Sequence, residues 1–372
     1  MATTPLSELL LDEAIRHQVA LAKYANGAVA RMVAVLNRSD ARLAESLMTA
    51  ISQMDTTTFS IQRLQSLLGS VRAINSEAYN VLSRSLTEEM KGFAEYETSY
   101  LSQMLDSYTP IAVHVAAVDA GTVYAAALSR PFQGVLLQDV LADLGEARAR
   151  AIRRSIAQGF VEGKTLQQML NEVRGTKAKG YTDGLLEGSR REVAAVVRTA
   201  TSHLAGIAND NMVAANEDVI GKVVWVATLD TRTTSECRIR DGKAYTPVEH
   251  KPIDHKIPWR AGPGRLHWNC RSSQTFVTKS FKELGLDIPE ITLKNGKRAT
   301  IDGQIPQETT YGQWLKKQPL SRQVEVLGKT RATLLRKGGL KLEDMYTQRG
   351  EYLTLDELRE RDAAAFKKAG LQ

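Results

Sequence analysis

The sequence predicts an α+β protein that is mainly α. It has long N-terminal helices, a central helical domain with a small sheet and a long clamped loop, and a small C-terminal α/β extension. Three observations predict this. Residues 1–135 are poor in glycine and proline and repeat apolar residues at three- and four-residue spacing. A single β-branched and aromatic run, Val223-Val224-Trp225-Val226-Ala227-Thr228-Leu229, interrupts the helical character. From Asp230 to Arg271 the chain becomes irregular, with Gly242, Pro247, Pro252, Pro258, Gly262, Pro263 and Gly264. These features divide the chain into 1–135, 136–280 and 281–372.

Leu9, Leu10, Ala14, His17, Leu21, Tyr24 and Val29 carry the first helical stripe, which is expected to pack in a bundle or hairpin. Ser60, Ser70 and Ser76 suggest breaks, and Pro110 a boundary, because the residue before a proline is biased away from the helical region. Pro131-Phe132 and Gly134 mark a linker. Helices are expected over 136–158, over 165–173 with Thr165 as N-cap, and over 189–215; Gly175–Gly180 reads as a mobile loop. His203 and His114 read as core histidines. Arg271–Val277 is expected to return beside the first strand. Asn295-Gly296 predicts a tight hairpin between 291–293 and 299–301. Thr354 with Glu357 forms a capping box that opens a helix from Leu355 toward Lys368.

Composition narrows the function classes. With 43% hydrophobic and 24% charged residues among 372, the chain is that of an ordinary globular protein. No segment reads as a signal peptide, and no uncharged apolar run approaches the ~20 residues of a membrane span, so no membrane anchor is expected. Two cysteines are too few for a secreted disulfide framework. The net charge of +7 is unevenly spread, with −3 over 1–135, +6 over 136–280 and +4 over 281–372. Contact with nucleic acid is therefore expected from the middle and C-terminal parts.

A long loop in a compact domain needs something to hold it. Cys237, His267 and Cys270 supply two sulfurs and a nitrogen, and His267-x-x-Cys270 has a usual ligand spacing, so zinc is one candidate, with His250, His255 or Asp241 completing a tetrahedron. A metal-free clamp is a second. Asp230 would then accept from the backbone of Arg232 and Thr233, Arg232 or Arg271 would pair with a buried carboxylate such as Asp241, and the cysteines would be small buried apolar groups. A Cys237–Cys270 disulfide is a third. Catalysis through Cys237 and His267, or through a metal on Asp230, Asp241 and His267, lacks supporting context; no enzyme is expected.

The same residues carry a resemblance. Trp225, Asp230, Arg232, Thr233, Cys237, Asp241, Gly242, His267, Cys270 and Arg271 resemble, as a set, the pattern of the phage Mu F-like family of head morphogenesis or minor capsid proteins. Arg198-Thr199 and the Gly163-Lys164 turn are similar too, and the resemblance covers roughly 137–277. Tyr311-Gly312-Gln313-Trp314-Leu315 and Leu327-Gly328-x-Thr330-Arg331 resemble the extension found in many members. Two departures stand out. The family often closes with Cys-Arg-Cys, whereas Ser272 follows Arg271 here, and its usual proline pair before the histidine is replaced by Pro263-Gly264-Arg265-Leu266. The resemblance implies a structural minor head protein of a tailed bacteriophage, present in several copies. It would reside in the virion, at the portal vertex or capsid interior, after assembly in the host cytoplasm. Its partners would be the portal protein, the inner capsid surface and packaged double-stranded DNA. The alternatives are a DNA-binding ejection protein or an injected effector enzyme, a metal-dependent nuclease or transferase.

Overall fold

The computed structural model describes residues 5–52, 61–109, 113–132, 134–287 and 297–371. Two 48-residue helices open the chain, α1 (Pro5–Ser52) and α2 (Ile61–Tyr108). Then come α3 (Ala120–Ser129), α4 (Leu137–Val161), α5 (Leu166–Arg174) and α6 (Leu185–Ala215). A three-stranded antiparallel sheet follows, in the order β2 (Ala244–Tyr245), β1 (Ile220–Val226), β3 (Ser273–Thr278). The six-residue α7 (Ser235–Arg240) lies between β1 and β2. The C-terminal part holds the hairpin β4 (Lys297–Thr300) and β5 (Gly303–Pro306) and the short helices α8 (Tyr311–Lys317), α9 (Leu320–Leu327), α10 (Lys329–Thr333), α11 (Leu355–Arg361) and α12 (Ala363–Lys368). The mainly α, α+β class is as the sequence predicts.

The chain folds into two compact units, each built from separated stretches. One comprises 22–95 and 124–204; the other comprises 1–21, 96–123 and 205–372.

In the first unit, α1 buries Ala25, Ala28, Met32, Val35, Leu36, Leu43 and Leu47. This is the three- and four-residue stripe of an amphipathic helix. It runs antiparallel to α2, with Tyr24 stacked on Phe93 and Arg42 paired with Glu77. Leu43, Leu47 and Val71 share a core with Ile152 and Ile156 of α4, Met169 and Val173 of α5, and Leu186 of α6. Inside it, Asp40 takes two cations: Arg148, which is buried, and Arg190 at 2.7 Å. His203 is core as expected, with Nε2 at 3.1 Å from the Ala127 carbonyl and its ring edge-on to Phe132. Thr165 and Gln168 form a reciprocal capping box on α5. One stretch of α1 is long and apolar enough, by length and composition, to cross a membrane, though Lys23 and Arg31 interrupt it.

In the second unit, the start of α1 packs on the end of α2 through polar groups. His17 Nε2 lies 2.9 Å from both carboxylate oxygens of buried Glu97, and Tyr100 donates to Glu13 at 2.8 Å. Asn216, at the end of α6, accepts from the Ala116 N–H at 2.7 Å and donates to its carbonyl at 3.0 Å, fixing the irregular segment after α2. One core joins Leu229, Ile239 and Ile257 of the loop to Tyr311, Trp314, Leu315, Leu327, Leu334, Met345, Leu358 and Phe366. Loop and C-terminal helices therefore share one interior.

Several expectations need correction. Helix α2 runs unbroken through Ser70 and Ser76, and Ser70 satisfies its hydroxyl on the Ser66 carbonyl one turn back. Ser60 and Pro110 lie outside the described residues, as does Asn295-Gly296. A hairpin among the described residues, not expected from the sequence, turns at Ile301-Asp302, with Thr300 paired to Gly303. His114 is exposed. Gly175–Gly180 contains a 3-10 turn, Lys177–Lys179, closed by Asp183, which accepts from the N–H and hydroxyl of Thr176. The Thr354–Glu357 box opens α11 as expected, but Asp362 ends that helix and caps α12.

Candidate functional site

The expected return strand is present: β3 pairs with β1 in the register Val223↔Phe276 and Trp225↔Gln274. The polypeptide between them carries all the predicted site residues after Trp225. It is less irregular than the sequence suggests, because it contains α7 and β2.

Three of the predicted residues meet. Cys237 is on α7, and its N–H bonds to the Thr234 carbonyl at 3.1 Å. His267 and Cys270 flank a tight turn closed by Cys270 N–H to His267 carbonyl at 3.1 Å. Asn269 supplies the turn's left-handed residue at φ 56, a conformation asparagine tolerates better than most side chains. The two sulfurs stand 3.8 Å apart, and Cys237 Sγ stands 3.3 Å from His267 Nε2. All three donor atoms lie within 4.8 Å of one another. Both thiols are buried and free, so the disulfide is not formed. Tetrahedral zinc with Zn–S near 2.3 Å and Zn–N near 2.0–2.1 Å has S···S edges of about 3.8 Å and S···N edges of about 3.6 Å. The observed spacing is close to three corners of that figure. His267 Nδ1 lies 2.9 Å from the Trp268 carbonyl and can donate to it, which leaves Nε2 as the ligand nitrogen.

The electrostatics suit deprotonation of one thiol. Cys270 is held well below the usual thiol range by the hydrogen bond from Cys237, against burial, with His267 adding to the effect. Cys237 is pushed well up by the same bond and by burial. The group can bind a metal ion.

None of the three residues foreseen as a fourth ligand joins it. His255 Nε2 lies 2.9 Å from the Ala244 carbonyl, and its Nδ1 accepts from the Ile257 N–H. The His250 ring stacks on Trp259 at 4.4 Å. Asp241 is fully engaged elsewhere.

Two arginine–carboxylate pairs hold the rest. Asp230 accepts from the Arg232 N–H at 3.0 Å, as foreseen, and from the Thr233 hydroxyl at 3.2 Å rather than its N–H. Arg271 grips the same carboxylate with both terminal nitrogens. The Arg232 side chain is exposed. Burial opposes ionisation of Asp230, but Arg271, Thr233 and the Arg232 backbone outweigh it and hold its pKa below the ordinary 3.8. A depressed carboxyl pKa adds stability that is complete above the unfolded value and is lost as pH falls through the folded one. Denaturant midpoints should therefore vary little through this group down to about pH 5 and fall below about pH 4. Asp230→Asn should lower the plateau and flatten the acid limb. An unchanged acid limb would show that the pair is not formed in solution.

Asp241 pairs with an arginine that sequence reasoning missed. Arg298, buried on β4, donates to its two oxygens at 3.0 and 2.6 Å and to the Thr309 carbonyl at 2.8 Å. The N–H groups of Ala227 and Tyr311 donate to the same carboxylate at 2.8 and 2.7 Å. Gly242 follows because the chain turns there at φ +75 to send its N–H to the Trp225 carbonyl at 2.8 Å. Beneath the sheet, Trp225 meets Trp259 edge-on at 5.3 Å and the Arg240 guanidinium at 5.7 Å. Gln18 of α1 also reaches this region, donating to the Arg271 carbonyl at 2.7 Å. The polar Gln18, on a helix read for its apolar stripe, was the available signal for that contact.

No curated protein and no solved structure gave a match to the chain. Residues 150–275 match the family model described as Phage Mu protein F like protein. That segment, about a third of the chain, is similar to the family and contains α5, α6, β1, β2, the start of β3 and every residue of the Cys–His–Cys group.

Proposed function

We propose that this protein is a structural minor head protein of a tailed bacteriophage. It acts in procapsid assembly near the portal, is present in several copies, and stays in the virion. The match over residues 150–275 is the observation that carries this reading. The chemistry of the loop supports a scaffold rather than an enzyme. Asp230 and Asp241 are each committed to an arginine, which leaves neither available to share a catalytic metal with His267. The Cys237–His267–Cys270 group is proposed to hold zinc and so to tie α7 to the turn before β3.

The long N-terminal helices are the proposed docking surface for portal or inner capsid wall. Within the second unit they leave Val19 and Tyr96 exposed, at 41% and 52%. Deleting the helices outright would also remove packing, because Gln18, His17 and Glu97 belong to the fold of the second unit. The sharper test keeps the full chain. Val19→Asp and Tyr96→Ser together should leave the circular dichroism unchanged and reduce incorporation into procapsids to background. Normal incorporation would refute docking through these residues.

The basic charge beyond residue 136 supports a second reading, contact with packaged DNA and delivery with it. Arg153 and Arg154 of α4 are exposed. Affinity carried by such groups falls steeply with salt.

A further inference from the structure

Two members of the Cys237–His267–Cys270 group, Cys237 and His267, line a small pocket. The cavity measures about 20 Å³ and is lined by Thr228, Arg232, Thr233, Thr234, Cys237, His267, Asn269, Arg271 and Ser272, of which Arg232 and Asn269 are exposed. A space of about 10–15 Å³ suffices for one water molecule if polar partners surround it. This lining is polar almost throughout. Thr234 Oγ1 lies 3.0 Å from His267 Nε2, and Ser272 lines the same pocket as Cys237. Hydroxyl side chains thus line the pocket beside the group, and no fourth sulfur or imidazole is among its lining residues.

We infer that Cys237, His267 and Cys270 form a three-ligand zinc centre whose fourth position faces this pocket and holds an exchangeable water or small anion. The inference rests on the proposal that the group binds zinc. Structural zinc sites are closed by four protein ligands, whereas a site with three keeps an open position. Two thiolates cancel the charge of the ion, so the bound water is only weakly acidified. Asp230 is tied to Arg271, and among the described residues that line the pocket there is no carboxylate to act as a base. The open position is therefore a coordination site for a ligand of pocket size, without the apparatus of a hydrolase.

Cobalt substitution tests this on the full-length protein. Co²⁺ should bind one per chain and show the thiolate charge-transfer absorption and visible bands of a four-coordinate ion. Azide should shift the visible bands, because it replaces the water. Ser272→Cys should supply a fourth sulfur, abolish the azide response and tighten zinc binding. Cys270→Ser should bind at least roughly 10-fold more weakly; circular dichroism checks its fold, while the azide measurement is made on the wild-type chain and needs no variant. Stoichiometric cobalt with no azide response in the wild type overturns the open position and leaves the zinc site standing. Absence of cobalt and zinc binding in the wild type overturns both.

Discussion

Replacing Arg298 by methionine should cost about 3–5 kcal/mol, the expected penalty for removing one partner of a buried ion pair. The reason is what remains. Asp241 is buried, and its two oxygens would keep only the N–H groups of Ala227 and Tyr311 in place of four donors. The Thr309 carbonyl would lose its donor as well. The effect should reach well beyond one pair, because the carboxylate joins β1, β4 and the start of α8 at a single point. All four tryptophans, Trp225, Trp259, Trp268 and Trp314, lie in the unit that contains the pair, so their fluorescence in urea reports on that unit directly. Circular dichroism reports on both units. The variant should therefore shift the fluorescence transition to lower urea more than it shifts the ellipticity. Combining Asp241→Asn with R298M should cost clearly less than the two changes added together, since the charge left stranded by one is removed by the other. A cost within about 1 kcal/mol for R298M alone would place it among ordinary substitutions and refute the clamp.

The reach of the sequence can be traced through the same residues. Elements specified by local chemistry are legible: the Thr165 N-cap, the Thr354 capping box, α6, and the β-branched run of β1 with its returning partner. So is the meeting of Cys237 with His267 and Cys270, which the metal and disulfide readings of their spacing both require in part, although spacing alone does not choose between them and a metal-free loop. What escaped was long-range pairing. Asp241 is 57 positions from Arg298, and nothing local to either shows that a surface-type residue in a four-residue strand is buried against a loop carboxylate. Arg271 was tied to the wrong acid for the same reason, since Asp230 and Asp241 look equally available along the chain. The fourth ligand was sought among nearby histidines, but His250 and His255 serve Trp259 and the β2 backbone. Serines were read as helix breakers, yet a serine hydroxyl can bond the carbonyl one turn back, as Ser70 does, and the apolar stripe of α2 continues past it.

Trp225→Ala should be the second severe substitution, at about 3–5 kcal/mol for emptying a fully buried aromatic site. Trp225 is 0% exposed at the centre of the three-stranded sheet. Its ring faces Trp259, which in turn meets Tyr245 at 4.8 Å and stacks on His250, so its loss opens a cavity that three rigid aromatic neighbours cannot easily fill. It also carries the guanidinium of Arg240, a fully buried cation whose pKa is lowered by that burial. Without the ring, Arg240 keeps only the carbonyls of Pro258 and Glu236. Arg240 ends the same six-residue helix that bears Cys237, so the damage should pass along one turn of α7 to the ligand group. Trp225→Phe preserves a ring under Arg240 and should cost less than half as much. The decisive comparison is zinc affinity measured at a temperature where each variant remains folded by circular dichroism. Weakened binding in W225A and near wild-type binding in W225F would show that the aromatic floor positions Cys237. Equal affinity in all three would confine Trp225 to packing and leave the alignment of the sulfurs to the His267–Cys270 turn.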